Sequence, residues 1–254
     1  MTTLDALEWR TDLTIGDSAF DTAPSTVYTP TVTVKNRTVS MFDYLCQEQG
    51  VIRMTGSVDE LMYDQVTGQL VLLKILKKKR ASMVICSGGG SIIHGNAILD
   101  CMSLLGMPVS TKVTGIAASM AAVILACGTP GLRFAYPSAR IMIHQPRTIG
   151  GGGGVRTADD IDIDNDEMQF TKRRLIQRLA DASGKSFEEV EADCKHDNWL
   201  APEECLPEKT ARALGYPKWY GPKGLIDHIY DPRKAVIVSP DQDSADIDVP
   251  YSVN

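Results

Sequence analysis

Between residues 51 and 143, short apolar strand patterns alternate with helical stripes, and that alternation confines the chain to a parallel α/β architecture. Val51-Ile52-Arg53-Met54 reads as a strand. Asp59 then caps a helix whose apolar positions are Leu61, Met62, Val66, Leu70 and Leu73. A second strand, Met83-Val84-Ile85-Cys86, runs into glycines 88–90 and a helix through Ala97, Ile98, Cys101 and Leu105. Pro108 leads into a strand over Val109 to Val113, a small-residue helix follows Ser119, and a Gly/Pro turn at 128–131 precedes strands at Arg133 to Ala135 and Arg140 to Ile143. Helices between successive strands demand right-handed crossovers and a largely parallel sheet.

With 254 residues the chain suffices for one α/β domain with a full core. Net charge is −6, and Lys/Arg cluster only within the helical patterns 74–80 and 172–178. These read as solvated helix faces, which argues against nucleic acid as a partner. The six cysteines (46, 86, 101, 127, 194, 205) show neither CxxC nor Cys/His metal spacing and sit in apolar surroundings, so reduced core thiols and no metal or cofactor are expected. The longest apolar stretch, Ile116 to Cys127, is too short to span a bilayer, and no basic segment followed by an apolar one opens the sequence. The expectation is a cytoplasmic protein without a membrane contact.

Three distant segments supply the chemistry. Gly115-Ile116-Ala117-Ala118-Ser119-Met120 offers a serine, Met142-Ile143-His144-Gln145-Pro146 a histidine, and His196-Asp197-Asn198-Trp199-Leu200 an aspartate. A serine hydroxyl becomes a nucleophile once an imidazole takes its proton, and the imidazole needs a carboxylate to fix its tautomer and stabilise its cation. Each residue has a plainer reading: Ser119 as a helix N-cap, His144 as a hydrogen-bonded core histidine, Asp197 as a solvated acid. Four histidines leave few candidates for a base, and His144, between an apolar strand and a proline, is better placed than His94, His196 or His228. Glycines 88–90 can bring backbone donors close to a reacting carbonyl, and Met120, in the first turn of an apolar helix, has an N–H without an intrahelical partner. No Gly-Lys-Ser/Thr follows the glycines, so they do not read as a Walker loop.

Taken together, Ala117-Ala118-Ser119-Met120-Ala121, Arg140-Ile141-Met142-Ile143-His144-Gln145-Pro146, Asp197-Asn198-Trp199-Leu200, Ser87-Gly88-Gly89-Gly90-Ser91 and Gly224-Leu225-Ile226-Asp227 resemble the motifs of the ClpP family of self-compartmentalising serine peptidases. The resemblance covers roughly residues 50 to 230. It implies the ClpP/crotonase-like α/β fold, in which stacked β-β-α units place the active site at sheet ends and a handle helix joins two heptameric rings. It also implies Ser119 as nucleophile, His144 as general base, Asp197 as orienting acid, and the N–H groups of Gly90 and Met120 as oxyanion hole. The implied partners are an AAA+ Clp-type unfoldase, further copies of the chain in rings, paralogous ClpP subunits, and polypeptide substrates.

Three departures stand out. Gly88 replaces the family's proline in the oxyanion loop, which removes a φ constraint. Lys195 and His196 stand where an acid and an arginine that link the rings usually precede the catalytic aspartate. Ser82, Val84 and Leu104 replace aromatic residues of the unfoldase-docking pocket, although Phe134 is kept. Residues 1–35 read as an extended arm, 36–238 as the peptidase domain with a surface insertion at 206–223, and 239–254 as an acidic disordered tail. The helical pattern from Asp159 to Ala182 carries an incomplete stripe (Ile161, Met168, Leu175, Ile176, Leu179) behind a glycine run at 150–154, and Ser186 with Glu189 forms a capping box for the next helix. The expected function is a serine endopeptidase acting on unfolded polypeptides in an oligomeric chamber. The alternative is a mainly structural ring subunit beside an active paralogue. A crotonase-type acyl-CoA enzyme ranks last, because that chemistry uses glutamates.

Overall fold

The computed structural model describes residues 31–34, 37–147, 157–231 and 236–238. The arm before residue 31, the glycine run 150–154 and the acidic tail lie outside them. In chain order the elements are β1 (Thr31–Val34), β2 (Arg37–Ser40), α1 (Met41–Gln49), β3 (Val51–Val58), α2 (Glu60–Ile75), β4 (Ala81–Gly90), α3 (Ile92–Leu104), β5 (Val109–Ala118), α4 (Met120–Ala126), β6 (Arg133–Ala135), β7 (Arg140–Ile143), α5 (Ala158–Ser183), α6 (Phe187–Asp193), β8 (Asn198–Leu200), a 3₁₀ turn (Pro202–Cys205), α7 (Glu208–Ala213), β9 (His228–Asp231) and β10 (Val236–Val238). The α/β fold expected from the alternation is observed.

β3, β4, β5, β6 and β9 are parallel neighbours in that order, with β10 antiparallel on β9 and a separate β1–β2 hairpin. Gly115 (φ 71°) interrupts β5. Residues 111–113 pair with β6, whereas Ile116–Ala118 pair with β7, which in turn carries β8 antiparallel. This change of partner brings the end of β5 beside the strand that leads to His144, and that strand carries the one that follows Asp197 on its other edge.

Both glycine-bearing strands run further than their apolar cores suggest. β4 continues through the three glycines because β3 supplies ladder partners, Ser57 opposite Gly89 and Val58 opposite Gly90, after a register shift. Backbone pairing offsets the poor strand propensity of glycine.

The core lies between the sheet and α2, α3 and α4. Asp59 caps α2 as expected, accepting from the Met62 N–H at 3.0 Å. Met62, Val66, Leu70 and Leu73 are buried, but Leu61 is exposed because it falls off the i, i+4 stripe. In α3 the buried stripe is Gly95, Ile98, Leu99 and Met102: of the expected Ala97, Ile98, Cys101 and Leu105, Ile98 is buried, and Cys101 and Leu105 pack partly buried against the core. Gly95 faces Met120: a Cβ there would lie 2.3 Å from Met120 Cγ, so that face turns inward. Every residue of α4 is buried, as a helix apolar all round requires. α5 buries only its second half, at Leu175, Ile176, Leu179 and Ala180, and leaves Ile161, Ile163 and Phe170 exposed.

The segment 206–223, expected as a surface insertion, exposes residues 212–215, 217, 218, 222 and 223 but is also anchored to the core. Leu206, Ala211 and Tyr220 are buried in the core cluster, and Tyr216 and Trp219 pack against it. Its aromatic residues are used for local anchoring, which gives an eighteen-residue excursion an apolar footing.

Candidate active site

Ser119 sits at the junction of β5 and α4 with φ 55° and ψ −126°, a conformation that L-residues adopt at a cost of about 1–3 kcal/mol. Its side chain makes no capping hydrogen bond, so the N-cap reading fails. Instead its N–H donates to the Met142 carbonyl at 2.8 Å, and its carbonyl accepts from Ala122 at 3.0 Å. The first bond ties Ser119 to β7 two residues before His144. A tight strand-to-helix turn of this kind lifts the hydroxyl clear of both elements.

β4 closes in from the other side. A Cβ on Gly89 (φ 92°) would lie 2.6 Å from the Ala118 carbonyl oxygen, 2.7 Å from Ser119 Cβ and 3.0 Å from Met120 N. A Cβ on Gly90 would meet the Val58 carbonyl oxygen at 2.4 Å. The Ser91 N–H donates to that same carbonyl at 2.7 Å, so the alternation of the ladder turns the Gly90 N–H away from β3. Met120 is the first residue of α4, where the N–H is free of the helix and feels the positive end of its dipole. Ser119, Met120 and Gly89 therefore share one small volume. Gly89→Ala is expected to lose about 10²-fold in any turnover that uses the Ser119 hydroxyl, through displacement of Ser119, and about 1–3 kcal/mol of stability. Gly88→Ala, where an added Cβ meets nothing within 4 Å, is the matched control. Equal kinetics in the two variants, read with thermal unfolding, would refute the close-approach argument.

His144 and Asp197 are brought together, though not into a hydrogen bond. His144 Nδ1 is 3.8 Å from Asp197 Oδ1, and that buried nitrogen has no partner among the described residues. The Gln145 N–H donates to the Cys194 carbonyl at 2.7 Å, and Gln145 Nε2 donates to the Lys195 carbonyl at 3.0 Å, which clamps the backbone after His144 to the backbone before Asp197. Arg147 Nη2 bonds the same Asp197 Oδ1 that faces the imidazole. Desolvation first, then the Arg147 cation, pull the His144 pKa below the ordinary histidine value, while the Asp197 carboxylate pushes it up. Arg147 was not among the residues singled out from the sequence. A cation two residues after Gln145 was the signal, but nothing local says which carboxylate it meets.

Other reactive side chains are occupied or suppressed. His228 is buried, stacked on Phe134 with centroids 5.0 Å apart, with Nε2 3.0 Å from the Gly131 carbonyl oxygen. His94 lies in α3 against Tyr63. All six cysteines are free. Burial raises the thiols of Cys46 and Cys127 to about 11 and that of Cys194 to about 12, far from nucleophilic thiolates at neutral pH. No helix among the described residues is long and apolar enough to cross a membrane.

The profile of the Clp protease family matches residues 33–208, well over half of the chain. The chain belongs to the Clp protease family. It is similar to proteins named ATP-dependent Clp protease proteolytic subunit: 37% identical to that of Streptococcus gordonii over 67% of this chain and 86% of the relative. The identity is 39% to that of Streptococcus salivarius, over 61% and 79%. The Clp protease match ends as α7 begins, so most of the anchored segment 206–223 lies beyond it.

Proposed function

We propose that this chain is a serine endopeptidase that hydrolyses peptide bonds of unfolded polypeptides inside an oligomeric ring chamber in the cytoplasm, fed by an AAA+ unfoldase. The observation that carries the proposal is Ser119, held in a strained turn and hydrogen-bonded to β7 beside His144. Ser119 Oγ attacks the scissile carbonyl and His144 takes its proton, then returns it to the leaving amine. Water afterwards cleaves the acyl-enzyme, with Asp197 steadying the imidazolium. The N–H groups of Gly90 and Met120 receive the oxyanion, and their fixed orientation makes them worth more there than in water. Family membership supports this assignment of roles, as does the absence of a side chain at Gly89.

Assembly is supported by α5. Ile161, Ile163 and Phe170 are exposed on its first half, which has no apolar partner within the described residues. A second copy in a facing ring would cover them, and that is the handle role. A second reading, a mainly structural subunit beside an active paralogue, is favoured by one observation: Asp197 is bonded to Arg147 and not to His144. Native mass spectrometry of protein treated with a serine-directed phosphonate tests both readings together. The expected result is a ring-sized assembly with one adduct per chain at Ser119, and degradation of a folded substrate only when unfoldase and ATP are added. Intact rings without an adduct would support the structural role, and a monomer at micromolar concentration would remove the chamber.

A further inference from the structure

Arg147 and His144 compete for one oxygen atom. Asp197 Oδ1 accepts from Arg147 Nη2 and lies 3.8 Å from His144 Nδ1, a ring nitrogen that is buried without a hydrogen-bond partner among the described residues. A buried, unpaired imidazole N–H is costly, and the acceptor that would satisfy it is nearby but engaged elsewhere. The backbone does not create the gap. The two Gln145 bonds already hold the strand end that carries His144 against the segment that carries Asp197. What separates the pair is side-chain choice: the carboxylate takes the guanidinium of a side chain that is 59% exposed over the imidazole of one that is 10% exposed.

We propose that Arg147 is a positioning residue that withholds Asp197 from His144 in the resting chain, so that hydrolysis requires the carboxylate to exchange Arg147 for the Nδ1–H of His144. This inference rests on the serine–histidine–aspartate reading and deepens it. Because Arg147 is exposed, its hold is weak enough to be traded. A substrate carboxylate, a neighbouring copy or simple salt screening could each engage the guanidinium. The charged groups acting on His144 are Arg147 on its own loop and Asp197 from the β8 side. Both act in the direction the exchange predicts: loss of the cation raises the histidine's proton affinity, and a closer carboxylate raises it again.

The test uses the full chain, with a short fluorogenic peptide as substrate, in wild type, Arg147→Leu and Arg147→Lys. Arg147→Leu is expected to raise kcat on the alkaline plateau about 2–5-fold at low ionic strength, the range over which an exposed ion pair can bias an equilibrium, with KM unchanged. Its acid limb moves to higher pH. Added salt accelerates wild type towards the variant and leaves the variant unaffected. Arg147→Lys keeps the cation and stays near wild type. A fall in kcat in Arg147→Leu that Arg147→Lys rescues would show that the guanidinium supports the carboxylate, and would overturn the proposal. So would an unchanged kcat with an unmoved acid limb. Titration of the His144 ring protons by NMR, with and without Arg147→Leu in a Ser119→Ala background, separates this result from the triad assignment. Its expected upward shift does not depend on whether Ser119 reacts, and an unmoved titration overturns the gate even if Ser119 is labelled by a phosphonate.

Discussion

Ser119→Ala and His144→Ala are each expected to lose about 10⁶-fold in kcat on peptide substrates, by the scale of the subtilisin triad, and the two together no more than either alone. Neither change removes a structural bond. The Ser119 side chain caps nothing, and the bond that locates the residue is its own N–H to the Met142 carbonyl, which alanine keeps. Folding is therefore expected to be retained while turnover disappears. Asp197→Asn loses up to ~10⁴-fold, the cost of the wrong imidazole tautomer in chymotrypsin. The pH profile gives the matching sign. In the proposed role His144 accepts a proton only when neutral, and burial with the Arg147 cation lowers its proton affinity, so the acid limb of kcat/KM is expected below the ordinary histidine pKa near 6.5. Turnover by Ser119→Ala within tenfold of wild type, in protein purified free of host peptidases, would end the nucleophile assignment.

Signals that are local in the chain were legible in the sequence. Asp59 and the Ser186–Glu189 box start helices as their side chains predict, because a cap is completed within three residues. The strands that end before Ser119 and His144 were legible from their apolar runs, and the structure ties them by the Ser119 N–H to the Met142 carbonyl, with His144 Nδ1 3.8 Å from Asp197 Oδ1. Properties set by non-local partners were not legible. The extension of β4 through glycines 88–90 depends on β3. The division of β5 between β6 and β7 falls at Gly115, whose φ is positive, and is set by those partners. Gly89 makes the close approach to Ser119 although the oxyanion role was assigned to Gly90. That contact belongs to a Cα and the role to the next N–H, two properties that a run of identical residues cannot separate. The anchoring of Tyr220 and the meeting of Arg147 with Asp197 across fifty residues are likewise tertiary facts.

Asp227→Ala is expected to destabilise the fold by about 3–5 kcal/mol, the cost of stranding a buried charge. Arg133, 3% exposed in β6, sits at the intersection of four segments. Its Nε and Nη2 bond the two Asp227 oxygens at 3.0 and 2.6 Å; the Arg133 backbone N–H also donates to the carboxylate Oδ2 at 3.0 Å, and the Asp227 N–H donates to the Arg133 carbonyl at 2.8 Å. The remaining guanidinium donors reach the carbonyls of Ala126 and Ala182 at 3.3 Å, Gly224 at 3.1 Å and Lys223 at 3.0 Å. One side chain thus satisfies carbonyls at the ends of α4 and α5 and at the exit of the anchored segment, and Asp227 balances its charge. Without the carboxylate, the cation stays fixed by those carbonyls in a dry site. Asp227→Asn keeps the shape and one acceptor and costs less. Arg133→Met added to Asp227→Ala recovers only part of the loss, because the charge goes but the carbonyls lose their donors. At roughly 2–4 °C per kcal/mol for a chain of this size, the single variant should melt about 10 °C lower. A loss below 1 kcal/mol in denaturant unfolding would mean that water reaches the guanidinium and that the hub holds the four segments far less firmly than its bonds imply.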